Sequence, residues 1–310
     1  MLTRKKALLI AAELSYGVPA DIADATLIQL AELENAPYEG ERQQRTRLRQ
    51  TFGANADVNV GPYATVTATV PLAGSGVVGT PPNYGLLLRA CGAAETVAAG
   101  VSVTYSPVTD DHESFTVWYV EDGQLQQLPG VRGTLELSAP VGQFPTYKFT
   151  LTGLYKRPVV HNTQLAHEIS NIVPELPVNK QNTPVFSVHG HQAVGESLTM
   201  TMGNTVTYRN QIGHEEVSIT DRVSTCAVQI EAPDLGTKNY FQALESHQQE
   251  VAAPITLQHG TEPGNTVEFS APKAQLSSLS RADKNGLVHY NMNVQLLPTV
   301  GDDEWTITIK

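Results

Sequence analysis

Charge is scarce in this chain. Only 16% of its 310 residues are charged, and the basic ones are fewer, 20 against 31 acidic. The formal net charge of -11 argues against a protein that binds nucleic acid by neutralising phosphates. Cysteine is almost missing. Cys91 and Cys226 read as two free, half-buried thiols, with no disulfide framework and no CxxC metal site. No apolar run reaches the ~20 residues that span a bilayer, so no membrane insertion is expected. Residues 2–13 imitate a secretion signal, but their apolar core, residues 7–12, is short and Glu13 ends it.

Catalytic signatures are missing as well. There is no GxSxG elbow and no HExxH helix. Ala73-Gly-Ser-Gly-Val-Val-Gly79 lacks the GK[ST] ending of a phosphate loop and reads as a connecting loop. His189-Gly-His191 would put two imidazoles on one strand face, but spacing marks no further ligand, which favours two surface histidines. Asp110-Asp-His-Glu113 is a carboxylate cluster without the EF-hand pattern, and a solvated turn is the simpler reading. No catalytic residue, cofactor site or metal site is expected.

Thr, Val, Ser, Gly and Pro are prominent, which favours strands and turns over helices. The length suits two domains better than one core. One order of elements also occurs twice. The first copy opens with the alternating Ala64-Thr-Val-Thr-Ala-Thr-Val70. A short helix over residues 83–91 follows, then strands over 101–105, 114–120 and 142–155. The second copy opens with a strand over 223–230. It continues with a short helix over 238–246 and strands over 254–259, 265–270 and 285–297. Asn83-Tyr84 matches Asn239-Tyr240, and Tyr147 matches Tyr290. The chain is therefore expected to be mainly β, with a first domain and its N-terminal arm in residues 1–155. A structured linker is expected over 156–182 and a second domain over 183–310. Residues 7–14 fit an amphipathic turn or an edge strand, and 26–34 are taken as a strand. A short surface helix is open for 161–171. The alternation of Trp305, Ile307 and Ile309 predicts a final strand held in a sheet.

Each copy places an extended polar hairpin or loop before its main strand. The first carries Glu39, Glu41, Arg42, Arg45, Arg47 and Arg49, and the second Tyr208, Arg209 and His214. Long polar loops are either solvated or functional, so these residues are candidate contacts to a neighbouring subunit.

The chain resembles the major tail tube proteins of long-tailed, siphovirus-like bacteriophages, in the form where two tube domains are fused. The resemblance rests on strings spread over nearly the whole chain. They include Glu13-Leu-Ser-Tyr-Gly17, Leu86-Leu-Leu-Arg-Ala-Cys-Gly92, Gly130-Val-Arg-Gly133 and Phe149-Thr-Leu-Thr-Gly-Leu-Tyr155. They continue in Val206-Thr-Tyr-Arg-Asn210, Ile219-Thr-Asp-Arg222 and Ala271-Pro-Lys-Ala-Gln-Leu276. It implies two tandem β-sandwich or barrel domains, each flanked by one short α-helix. It also implies a structural virion protein, made in the host bacterial cytoplasm, whose rings stack into a hollow tube. A fused pair fits a pseudo-sixfold ring of three chains. The implied partners are other copies of the chain, a tape-measure protein in the lumen, and tail-tip and tail-terminator proteins. DNA would pass through without specific binding. The polar hairpins would then bridge rings. The alternative is a two-domain β-sandwich module binding carbohydrate or a cell-surface receptor, which would need an exposed aromatic platform near Trp118 or Trp305.

Overall fold

A computed structural model describes residues 2–161, 173–247 and 250–310. The first half contains β1 (Lys6–Ala12), β2 (Thr26–Leu27), β3 (Glu32–Glu39), β4 (Arg42–Gln44), β5 (Asp57–Asn59) and β6 (Tyr63–Pro71). A six-residue helix, α1 (Gly85–Ala90), precedes β7 (Ala93–Ala98), β8 (Ser102–Pro107), β9 (Phe115–Glu121), β10 (Gln124–Pro140) and β11 (Thr146–Leu154). After β12 (Val159–Val160) the second half follows with β13 (Val185–Val188), β14 (His191–Gln192), β15 (Gly195–Thr201), β16 (Asn204–Gln211), β17 (His214–Arg222) and β18 (Thr225–Glu231). It continues with α2 (Phe241–Leu244), β19 (Ala252–His259), β20 (Val267–Lys284), β21 (Leu287–Leu296) and β22 (Thr306–Ile309). The mainly β expectation holds, with two short α-helices. Most of the helix expected over 161–171 lies outside the described residues.

Eighteen strands pair into one barrel-like network. Its main run is the antiparallel order β3-β6-β11-β10-β15-β18-β21-β20. Alternation along each strand gives this run two unlike faces. One is apolar: Ala64, Val66, Ala68 and Val70 of β6 stand with Tyr147, Phe149 and Leu151 of β11, and with Leu135 and Leu137 of β10. Leu198, Met200, Val228, Ile230, Tyr290 and Met292 continue it into the second half. All are buried in one core cluster that spans both halves. The helices and the outer strands cover it. Leu87, Leu88 and Ala90 of α1 are buried there, and Phe241 and Leu244 of α2 pack against it. Fully burying such a side chain contributes about 2 kcal/mol.

The pairings of the two halves correspond. β1 pairs with β2 and β9, as β13 pairs with β14 and β19. β9-β10-β11-β6-β3 repeats as β19-β20-β21-β18-β15. The two-stranded β4-β5 repeats as β16-β17. The matched tyrosines fall at equivalent rungs: Tyr147 opposes Val70, and Tyr290 opposes Ile230. Tyr84 and Tyr240, each just before its helix, are both buried.

The structure revises several expectations. Strand 254–259 corresponds by its partners to β9 rather than to 101–105, because among the described residues the β7-β8 hairpin has no counterpart before β19. β10 was not anticipated, since Pro129-Gly130 reads as a break. A bulge between Leu128 and Val131 absorbs the pair, with Gly130 at φ 63°. β20 runs past the expected 265–270 to Lys284, because another bulge takes up Pro272. The strand expected over 26–34 is split into β2 and the start of β3. β1 is a paired inner strand rather than an edge. The final strand is present, and it bridges the halves by pairing with both β20 and β8. Both cysteine thiols are free and fully buried rather than half-buried, and burial raises the pKa of each.

Candidate functional site

The candidate residues fall on two hairpins. In the first, Arg42 closes on Asp57 through two parallel hydrogen bonds, Nε to Oδ2 and Nη2 to Oδ1, each 2.9 Å. That hydrogen bonding is the leading cause of the raised Arg42 pKa and the lowered Asp57 pKa. Glu39 accepts from Thr65 Oγ1 at 2.5 Å. Arg49 Nη1 reaches the Ala54 carbonyl at 3.5 Å. Glu41, Arg45 and Arg47 are exposed, and their side chains meet no partner among the described residues.

The second hairpin is paired along its length, from Asn204 opposite Arg222 to Gln211 opposite His214. Tyr208 Oη donates to Glu215 Oε1 at 2.6 Å, and its pKa is pushed up to about 12, chiefly by burial. Arg209 Nη1 lies 3.0 Å from Glu216 Oε1, and His214 Nε2 lies 3.1 Å from Glu216 Oε2. Glu216 also accepts from Ser218 Oγ at 2.6 Å, the first cause of its lowered pKa. Arg42 and Arg209 are thus committed within their own hairpins, while Arg45 and Arg47 are exposed with no partner among the described residues.

The structure brings the hairpins together. The Tyr63 and Tyr208 rings lie 5.1 Å apart. A Cβ on Gly61 would come 3.0 Å from Asn210 Nδ2 and 3.1 Å from the Tyr208 ring. Side chains from both halves fix the root of the second hairpin. Asn204 Nδ2 donates to the carbonyls of Cys91 and Gly133, at 2.6 and 2.9 Å. Arg132 donates to the carbonyls of Val217 and His112 and lies 5.0 Å from the centre of the Tyr16 ring. Arg222 donates to Val108 O, Asp302 and Glu304.

Sequence reasoning missed the hairpin tips. Leu48, Phe52 and Ile212 are 102, 109 and 108% exposed, as free as side chains can be. Single exposed apolar residues are common, and these three stand at the ends of two polar hairpins. The signal was present: each is a large apolar residue inside a polar loop.

The other tempting clusters dissolve. His189, at φ 52°, and Gly190 form the tight turn between β13 and β14, so the two imidazoles are not neighbours on one strand face. Glu113 is engaged by Arg89, at 2.7 and 2.9 Å, and His112 by the Val108 carbonyl. Among the described residues no group of His, Cys, Asp and Glu is arranged to hold a metal ion. Among the described residues no helix is long and apolar enough to cross a membrane. Trp118 and Trp305 are buried, so neither offers an aromatic platform.

The second face of the eight-strand run is polar. Across its rungs lie Glu32, Thr69, Lys148, Glu136, Thr201, Thr225 and Gln295. A neighbouring row carries Thr146, Ser138, Thr199, Ala227, Asn293 and Ser278. These residues are half-exposed or exposed, and hydroxyl and amide groups predominate. The run is thus a broad antiparallel sheet with one apolar face in the core and one uncovered polar face, edged by protruding hairpins.

Comparison with known families agrees with this geometry. The family described as phage tail tube protein matches residues 3–288. No individual curated protein matches the chain. The chain belongs to the phage tail tube protein family, and is accordingly a structural component of a virion tail that self-assembles into a tube.

Proposed function

We propose that three copies of this chain form one ring of six similar lobes, and that such rings stack into the hollow tube of a siphovirus-like tail. The observation that carries this reading is the correspondence of strand pairings between the halves, with β10 of the first half joined to β15 of the second. Each half supplies four strands of the main run. Three chains would therefore close about 24 strands, a barrel on the order of 50 Å across its backbone. A barrel of that width has an open lumen wider than a DNA duplex.

The uncovered polar face then lines the lumen. It presents threonine, serine and asparagine side chains, with Glu32, Glu34, Glu136 and Glu231 outnumbering Lys148 and Lys284. Phosphates would meet few cations there, so DNA passes without sticking. A tape-measure protein would occupy this lumen during assembly, and tail-tip and terminator proteins would cap the ends. The protein is made in the host cytoplasm. The paired hairpins, with Arg45, Arg47 and the tips Leu48, Phe52 and Ile212, bridge one ring to the next. Nothing in the geometry favours a carbohydrate or receptor module, since both tryptophans are inside.

Purified protein imaged by electron microscopy at rising concentration tests the proposal. Hollow tubes or six-lobed rings of three chains support it. Compact single chains alone, even with a tail-tip complex present, would count against it.

A further inference from the structure

The main sheet run ends on two strands with an open edge. Among the described residues β3 pairs only with β6. The last part of β20 pairs, among the described residues, only with β21, because β19 leaves it at Gln275. These two edges have counterparts inside the chain that are already joined. The early part of β10 pairs with β9, as the early part of β20 pairs with β19. Beyond that point β10 takes β15 as its neighbour, with Glu136 opposite Thr201, Leu137 opposite Met200 and Pro140 opposite Ser197. β15 is the counterpart of β3, so the equivalent partner of late β20 is a β3. The chain's own β3 sits at the far end of the run. A second copy must supply it.

The internal joint also fixes the register. Tyr147 opposes Leu137, and its counterpart Tyr290 opposes Arg281, so Arg281 stands where Leu137 stands. Leu198 opposes Val228, and Leu33 opposes Ala68, two rungs from Ile230 and Val70 respectively. Leu33 therefore stands where Leu198 stands, and Asn35 where Met200 stands. Resting on the tube reading, we propose that β3 of one copy adds antiparallel to residues 280–284 of a second copy. Lys284 then falls opposite Glu32, Ala282 opposite Glu34, and Arg281 opposite Asn35.

Three independent features fit this pairing. Lys284 meets Glu32 directly and Glu34 diagonally, opposite charges at cross-strand distance. Lys284 already holds Glu196 within its own chain, and an ammonium has donors for both carboxylates. On the other face, Asn35 Nδ2 donates to Gln126 Oε1 at 3.0 Å, but its buried Oδ1 has no hydrogen-bond partner. The Arg281 guanidinium, exposed over the Phe241 ring, meets no carboxylate among the described residues and would arrive opposite that acceptor. Finally, the Leu33 carbonyl accepts from the side chain of Lys6 at 3.1 Å, whereas the matching edge of β15 carries a backbone ladder. Unpaired edges of this length otherwise invite indiscriminate pairing, and a head-to-tail interface that closes into a ring removes them.

Cysteine pairs test the register. Cys91 and Cys226 are buried and do not compete. The double variant Glu34→Cys/Ala282→Cys, oxidised after assembly, should form inter-chain disulfides and give a covalent closed ring on a denaturing gel. The shifted pair Glu34→Cys/Asp283→Cys should not. A charge cycle gives a second readout. Lys284→Glu should raise the critical concentration for assembly about fivefold, and Glu32→Lys in the same chain should restore it. If tubes form but the shifted pair links, or neither pair links and the charge swap does not rescue, the register is overturned while the tube reading stands. If the wild-type chain makes neither rings nor tubes, both fall.

Discussion

The Tyr63 ring lies 5.1 Å from the Tyr208 ring, inclined by 36°, and this contact sets the polar hairpin of the first half beside that of the second. Tyr208→Ala should leave the fold intact, since the hairpin root is held by Asn204, Arg132 and Arg222. The aromatic pair is worth about 1 kcal/mol. The expected outcome is a small loss in urea stability and a clear fall in the yield of long tubes by electron microscopy. Unchanged tube length would remove the hairpin pair from the stacking contact.

The exposed tips separate assembly from stability. Phe52→Ser and Ile212→Ser remove fully exposed apolar groups, so each should change unfolding free energy by less than about 0.5 kcal/mol. Both should weaken ring stacking, because the effect repeats at every subunit of every ring. Reversing the charge of Arg45 and Arg47 should act differently, altering the salt dependence of tube formation more than its limit at high salt. Sedimentation against salt concentration checks both.

Arg222 joins the halves. Its side chain is 10% exposed, and it pairs with Asp302 at 2.8 Å and Glu304 at 3.0 Å. Arg222→Ala strands the carboxylate of Glu304, itself 12% exposed, and should cost about 3 kcal/mol in urea unfolding. Arg222→Lys should recover only part, since an ammonium cannot also reach the Val108 carbonyl in the same fork.

The sequence carried the strands that alternate cleanly. β6 shows alternation without interruption, and β22 shows it to the end of the chain. The matched tyrosines proved to mark equivalent rungs, and each packs against an aromatic ring at the start of its half's helix, Tyr84 for Tyr147 and Phe241 for Tyr290. β10 was illegible because local rules read Pro129-Gly130 as a stop, whereas a bulge lets the strand continue against two different partners. That change of partner joins the main sheets of the two halves, and no local pattern announces it. Of the hairpin residues, the charges were legible and the apolar tips were passed over. Which arginines were already committed depended on cross-strand partners such as Asp57 and Glu216, which only pairing reveals.

Acid should loosen the fold before it titrates most carboxylates. His259 is buried, with Nε2 against the Leu176 carbonyl at 3.1 Å and Nδ1 against Thr183 Oγ1 at 3.0 Å. A carbonyl can only accept, so Nε2 carries a proton, and in the neutral ring that burial favours Nδ1 accepts from the Thr183 hydroxyl. Burial lowers the pKa of His259, His189 and His112 below the ordinary value. The unfolded chain therefore takes up protons first as pH falls below about 6.5. The contribution is full above that value and is lost as pH drops from it through the folded pKa values. Urea midpoints should fall between about pH 7.5 and pH 5.5. His259→Gln should flatten part of that slope.

The most direct test of the account is cryo-electron microscopy of assembled protein, with the symmetry of one ring read from the map. The account predicts three chains per ring and six similar lobes. Their β3-to-β20 strands would run in one continuous barrel whose inner face carries Thr69, Thr199 and Asn293. A ring of six whole chains, or a lumen lined by the hairpins instead of this face, would contradict it.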